Sequence, residues 1–261
     1  MKRDDGKILK PIQPPPKGPR EANFYLNINR SNNPIDHLIR SHIPKFYGLE
    51  QVGFTNGITV TEDFLVLEDI TEGFKLPSVM DIKVGKQTWG PDATEAKKTQ
   101  EASKYVGTKG PFGFSILGMI VHAFDPEAAV QVVKYDKSFG KHLKTEEVDK
   151  VPEVFFASDQ GTPKALVQVV LSKIAAIKEV FEMQRQYKIY ASSLLLAYDS
   201  DAVRKLKNGE ISEEELEKFV NIRLIDFAHV FDANGERDDN FLFGLNNLLD
   251  LFNRFLQRVQ N

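Results

Sequence analysis

The sequence predicts an α+β fold in two lobes that share a cleft, and three observations lead there. Short β-branched and apolar runs crowd the first half of the chain. The longest stretches with a 3.6-residue apolar period lie in the second half. Two further apolar runs return between those helical stretches, so strands and helices do not simply alternate. With 261 residues, the chain can build one large domain or two modest lobes.

Lys7–Leu9 reads as a short strand, and the Pro-dense segment Pro11–Pro19 as a loop, since proline fixes φ and removes a backbone donor. Arg20–Asn27 can form a helix, with Phe24 and Tyr25 as its bulk. Gly57–Val60 and Phe64–Leu67 are strand-like, with Thr61-Glu62-Asp63 as a hairpin turn between them. If Pro77–Gly85 is extended, Asp81, Lys83 and Gly85 share one face while Met80, Ile82 and Val84 face a core. In Phe112–Phe124, Phe114, Ile116, Ile120, His122 and Phe124 fall on one parity, as in a half-buried strand. From Lys164 to Gln186, Leu166, Val169, Val170, Ile174, Ile177 and Phe181 recur at helical spacing. Leu194–Tyr198 returns as a strand, and Ser212 with Glu215 forms a capping box that opens a short helix to Val220. Ile222–Ile225 is the last strand. Leu245, Leu248, Leu249, Phe252, Phe255 and Leu256 make the apolar face of a terminal helix that closes the core.

Net charge is −3, from 34 Lys+Arg against 37 Asp+Glu, which argues against a general nucleic-acid or membrane binder. A local basic pocket remains compatible with it. The absence of cysteine excludes disulfides, thiolate-held zinc and a cysteine nucleophile. No apolar run approaches bilayer length, and Met1–Asp5 has no apolar signal core. The expectation is a soluble monomer in the cytoplasm, with the nucleus as an alternative.

An isolated Asp-x-Lys pair is usually a weak surface ion pair. Here it sits inside Pro77-Ser-Val-Met-Asp81-Ile-Lys83-Val-Gly85, a P-x-x-x-D-x-K-x-G pattern. Ser192-Ser193-Leu194-Leu195, Ile225-Asp226-Phe227-Ala228-His229 and Phe241-Leu242-Phe243-Gly244-Leu245 follow it in order. Together these four motifs resemble the inositol polyphosphate kinase family, over most of the chain.

That resemblance implies a kinase-like fold with ATP in the cleft: an N-lobe over 1–67, a hinge over 68–71 and a C-lobe over 72–261. An inositol phosphate-binding segment would fall at about 104–150. Ile8-Leu9-Lys10-Pro11 resembles the family's strand carrying the ATP lysine, with Glu21 as the brace for Lys10. The family's glycine-rich turn before that strand is missing or cut short here, with only Lys2–Gly6 ahead of it. Glu68 and Ile70 would hold adenine through main-chain groups. Asp81 would reach the ribose, with a role near the reacting hydroxyl as the alternative, and Lys83 would face the acceptor and the transferring phosphoryl group. Asp226 ends an apolar strand and would hold Mg²⁺. Ser193 would contact phosphate or metal-bound water, or merely cap its strand, and His229 would be catalytic or a packed core histidine. Lys137, Gly140 and Lys141 resemble the family's K-x-x-G-[RK] segment. With Lys134 they would bind the acceptor, while Lys104 and Lys109 add to its rim.

No long insertion lies between Gly85 and Gly113, which by resemblance points to the open-pocket branches, the hexakisphosphate kinases and the multikinases. The hexakisphosphate reading, with a diphosphate product, is taken first. A multikinase adding phosphate to a hydroxyl is the alternative, and a non-enzymatic inositol phosphate-binding scaffold the third. A protein kinase is disfavoured, because there is no His-Arg-Asp catalytic loop.

Overall fold

The computed structural model describes residues 1–55, 59–124, 130–157 and 161–259. Its architecture is α+β, with antiparallel sheets. The first sheet has three strands in the order β1 (Lys7–Pro11), β3 (Thr59–Glu68), β2 (Phe46–Thr55). The second has five, β6 (Val130–Tyr135), β5 (Phe114–Phe124), β4 (Pro77–Val84), β8 (Ser193–Asp199), β9 (Val220–Ile225), every pairing antiparallel. A small ribbon pairs β7 (Tyr187–Ile189) with β10 (Val230–Asp232). Among the described residues no helix is long and apolar enough to cross a membrane.

In the first sheet, Thr61-Glu62-Asp63 is not a turn. It lies inside β3, opposite Gly53, Val52 and Gln51 of β2, a strand that the sequence reading missed. Its polar, exposed residues look like a turn because this end of the hairpin carries no core. Gly57 and Ile58 of the expected first strand lie outside the described residues. The Pro-dense loop is shorter than expected as well. Helix α1 spans Lys17–Arg30, so Pro19 stands in its first turn, where a missing N–H costs little. Helix α2 (Pro34–Ser41), capped by Asn33, was not foreseen.

In the second sheet, β4 alternates in burial as its sequence demands, with Met80, Ile82 and Val84 fully buried and Asp81 and Lys83 on the opposite face. The single parity expected of Phe112–Phe124 fails. Asp81 pairs with Gly118 but Ile82 pairs with Ile116, so Leu117 is an extra residue, a bulge that flips the later side chains. Phe114 and Ile116 are buried before it, Met119 and Val121 after it, and Ile120 is left 37% exposed. Lys109–Phe112 is a short helix, α4, rather than the start of that strand.

Between them lie α3 (Glu95–Ala102), α5 (Lys137–His142) and α6 (Lys150–Phe155). Helices α7 (Lys164–Met183) and α10 (Asp239–Val259) cover the core face of the five-stranded sheet, with α8 (Ser200–Lys207) and α9 (Glu213–Leu216) at its end. The Ser212–Glu215 capping box opens α9 as expected, but α9 ends at Leu216, a 3-10 turn carries the chain to Phe219, and Val220 already starts β9 rather than ending a helix. Ile174, Ile177, Leu245, Phe252 and Phe255 sit in one core with Met80, Ile82 and Leu196. Gly244 lets α10 approach β4: a Cβ there would fall 2.2 Å from the Gly113 carbonyl and 3.0 Å from the Gly85 nitrogen. Gly85 has φ +107 and donates to Gly113 O at 2.7 Å. The two motif glycines thereby pin the end of the strand that presents Asp81 and Lys83.

Candidate active site

Strand β1 buries Leu9 and turns Lys10 to the other side. There Lys10 Nζ meets Glu21 Oε1 at 2.8 Å and Asp226 Oδ1 at 2.5 Å. Glu21, on α1, is 1% exposed, and its Oε1 also accepts the Phe227 N–H at 3.0 Å. Burial opposes the charge on Lys10, yet the two carboxylates hold its pKa above the usual value. The expected brace is therefore present, and it ties helix, strand and metal candidate together.

Asp226 follows the end of β9 with φ +65, a conformation that costs a non-glycine residue about 1–3 kcal/mol. Its neighbours fix it there. Ser192 Oγ donates to the Asp226 carbonyl at 2.7 Å, and Phe227 is wedged between Phe24 and Tyr25. The result is a carboxylate 41% exposed, with one oxygen on Lys10. Among the described residues no group of three His, Cys, Asp or Glu could hold a metal. A Mg²⁺ here would take one or two protein oxygens and complete its shell with phosphates and water, as that ion commonly does.

Asp81 lies within electrostatic reach of Asp226, Lys83 and Lys137. Burial raises its pKa, and Asp226 adds to the rise, against the Ser193 hydroxyl, Lys83 and Lys137. Lys83 shifts the opposite way, down by burial, although Glu101, Asp226 and Asp81 support its charge. Asp81 Oδ1, Ser193 Oγ and Glu21 Oε2 are buried and make no well-formed hydrogen bond, although the Ser193 hydroxyl lies close enough to Asp81 to act on its charge. Unpaired polar atoms gathered on one site suit a polar ligand that supplies their partners. His229 is half-buried, its pKa lowered by burial and by Lys17, with Arg20 and Lys83 adding and Asp92 opposing. Its Nδ1 is buried without a partner.

At the expected hinge, the Glu68 carboxylate accepts the Lys45 N–H at 3.1 Å, and the Ile70 carbonyl accepts from Asn221 Nδ2 at 2.6 Å. Asp69 fixes the turn by accepting from Thr71 N and Oγ1 and pairing with Lys2 at 2.7 Å. Ahead of β1, residues 2–8 fold back as a tight hairpin turning at Gly6, φ +74.

The lysines predicted for the acceptor fall into two groups. Lys134 and Lys137 line a depression of about 370 Å³ together with Asp81 and Tyr135. Lys141 lies one turn further along α5 and is exposed; Lys137 is the lysine of this helix that acts on Asp81. Residues 125–129 of the expected binding segment lie outside the described residues. On the other side, Lys104 Nζ pairs with Glu101 at 2.9 Å, and buried Lys109 donates to the Glu101 carbonyl. Glu101, Lys97 and Tyr105 are site residues that the sequence reading missed. The spacing 97, 101, 104 is legible as a helical ion-pair row, but convergence with Lys83 and Lys109 from other elements is not. Tyr105 has φ +54 and a hydroxyl whose pKa is raised by burial, Asp81 and Glu101.

The sequence model of the family "Inositol polyphosphate kinase" matches residues 64–253. The inositol polyphosphate multikinase of Mus musculus is 32% identical over 205 residues, covering 77% of this chain and 50% of its own length. The multikinase beta of Arabidopsis thaliana is 29% identical over 275 residues, 98% of this chain and 87% of its own. Inositol hexakisphosphate kinase 3 of Mus musculus is 28% identical over 200 residues, 72% and 50%. The chain thus spans about half the length of the mammalian relatives it matches. Among solved structures, the inositol phosphate multikinase of S. cerevisiae in complex with ADP and Mn²⁺ superposes with TM-score 0.74 at 23% identity, covering 96% of this chain and 99% of that one. At that identity the likeness speaks for the fold.

Proposed function

Because this chain belongs to the inositol polyphosphate kinase family, we propose that it transfers the γ-phosphoryl group of ATP to an inositol polyphosphate. The observation that carries the reading is the arrangement around Asp226: one buried carboxylate–lysine pair on its donor side, and Asp81 with Lys83 on the other. Lys10, held by Glu21, would neutralise the ATP phosphates, and the hinge at 68–71 would seat adenine between an N-lobe over 1–67 and a C-lobe over 72–261. Asp226, with Ser193 nearby, would hold the Mg²⁺, which when bound supplies positive charge to the phosphates. The complex of the yeast multikinase with ADP and Mn²⁺ supports a divalent ion in this fold. Lys83 would stabilise the charge on the group in flight.

Two acceptors fit. Inositol hexakisphosphate, giving a diphosphate product, needs no general base, because its phosphate oxygens are already ionised. A less phosphorylated inositol needs a group to take the hydroxyl proton. Asp81 favours this second reading. It is a half-buried carboxylate with one buried, unpartnered oxygen and a raised pKa, within electrostatic reach of both Lys83 and Asp226. The mammalian multikinases, at 32–33% identity against 28–30% for the hexakisphosphate kinases, lean the same way. The pH profile of turnover tests it. With a trisphosphate acceptor, kcat is expected to fall on acidification above the ordinary carboxylate range, and Asp81→Asn to abolish turnover. Full activity in Asp81→Asn would remove the hydroxyl-acceptor reading and leave the hexakisphosphate one.

A further inference from the structure

One acidic side chain stands inside the basic half of the site. Glu101 Oε1 takes Lys97 Nζ at 2.8 Å and Lys104 Nζ at 2.9 Å, while its carbonyl takes Lys109. It is also the leading opposite charge acting on both Lys83 and Lys109. Despite burial, the paired lysines pull its pKa down to about 2, so it is ionised at any physiological pH. Oε2 has only a 3.4 Å contact from Thr88 Oγ1. An ordinary i,i+4 helix pair is exposed and local. This carboxylate is 14% exposed; beyond its two local pairs with Lys97 and Lys104, Lys109 of α4 sits on its own carbonyl and Lys83 of β4 is within its electrostatic reach.

We propose that Glu101 sets acceptor specificity: its carboxylate occupies the place of one acceptor phosphate among these lysines, so that the acceptor presents a free hydroxyl there. The inference rests on the kinase reading above and deepens it. A phosphate carries −1.5 to −2 charges and would suit four converging ammonium groups. With Glu101 in place, a phosphate entering the same volume meets a like charge in a partly desolvated site. A hydroxyl meets no such repulsion and can donate to Oε2. Discrimination by a built-in repulsive group is a general route to specificity. The site would then take tris- and tetrakisphosphates in preference to fully phosphorylated inositol.

The test compares kcat/KM for inositol hexakisphosphate with that for an inositol trisphosphate, in the wild type, Glu101→Gln and Glu101→Asp. Glu101→Gln is expected to raise the hexakisphosphate-to-trisphosphate ratio at least about tenfold, with the KM for ATP unchanged. Glu101→Asp keeps the charge and is expected to keep the wild-type ratio. Should Glu101→Gln fail to fold, Glu101→Gln with Lys97→Met removes one charge of each sign, and the ratio is expected to rise by a smaller factor. An unchanged ratio in whichever neutral variant folds overturns the inference alone. A wild type that turns over no inositol phosphate overturns the kinase reading, and this inference with it.

Discussion

Where Lys10 stands between two carboxylates, Glu21 and Asp226, Glu101 stands among lysines. These two clusters, whose carboxylates Asp226 and Glu101 both act on Lys83, are inverted in charge. The first carries one positive and two negative groups, and so has room for a cation. The second carries Lys83, Lys97, Lys104 and Lys109 against one carboxylate, and so has room for anions. On the proposed function, the residual charge of each half would suit a different partner: a metal ion with ATP on the first, acceptor phosphates on the second. The halves also differ in construction. The Asp226 half is fixed by buried contacts such as Phe227 against Phe24 at 4.2 Å, whereas the Glu101 half rests on a helix with no buried residues.

The sharpest way to break this comparison is at Asp226. Asp226→Asn keeps the shape but removes the negative charge, and kcat is expected to fall at least about a hundredfold with the fold intact and a smaller stability loss than in Glu21→Gln, because Asp226 is 41% exposed. Near-normal turnover would show that the cation site lies elsewhere. Glu21→Gln comes next. It leaves Lys10 half-paired in a buried site, and breaking such a pair costs about 3 kcal/mol, readable in urea unfolding. A loss below about 0.5 kcal/mol would mean that Lys10 is held by Asp226 alone.

Much of the first half of this contrast was legible in the sequence. Lys10 and Asp226, far apart in the chain, were placed by the motifs' resemblance to the family, whereas the parity of β4 alone puts Asp81 and Lys83 on the open face. The second half was less so. Glu101 and Lys97 were overlooked because α3 reads as a plain solvated helix until Lys83 and Lys109 arrive from other elements. The parity of β5 failed because the Leu117 bulge is set by pairing with β4, and its one local mark, Gly118 inside the apolar run, was not read as a bulge. Likewise β2 was missed because an edge strand exposing Tyr47 and Leu49 lacks the buried run that announces a central one.

On the acceptor side, Lys137→Ala combined with Lys141→Ala is expected to raise the KM for the inositol phosphate about tenfold and to leave that for ATP unchanged. Equal effects on both substrates would count against an acceptor role. Because Lys137, unlike Lys141, lines the depression with Asp81, Lys137→Ala alone should reproduce most of the effect.

The smallest expected effect is on stability. Folding raises the Asp81 pKa, so the native state keeps that proton to a higher pH than the unfolded chain does. The stability linked to Asp81 is full below the ordinary carboxylate value and falls as pH rises through the raised one. Asp81→Asn should therefore melt slightly higher than the wild type at neutral pH, while losing activity. Glu101 has the opposite sign. Its contribution is present above its unfolded value of 4.5 and is lost as pH falls toward about 2. Glu101→Gln should flatten that acid limb in a thermal-melt series, and an unchanged limb would mean that its lysine pairs are not formed in solution.

The central claim is that the two inverted clusters bring ATP and an inositol polyphosphate together for phosphoryl transfer. Incubation with ATP, Mg²⁺ and a panel of inositol tris- to hexakisphosphates, with products resolved by charge, tests it most directly. The account predicts ATP-dependent conversion of at least one panel member to a product with one more phosphate, lost in Asp226→Asn. A folded wild-type protein that converts none of them, or an Asp226→Asn variant that converts them equally well, would contradict it.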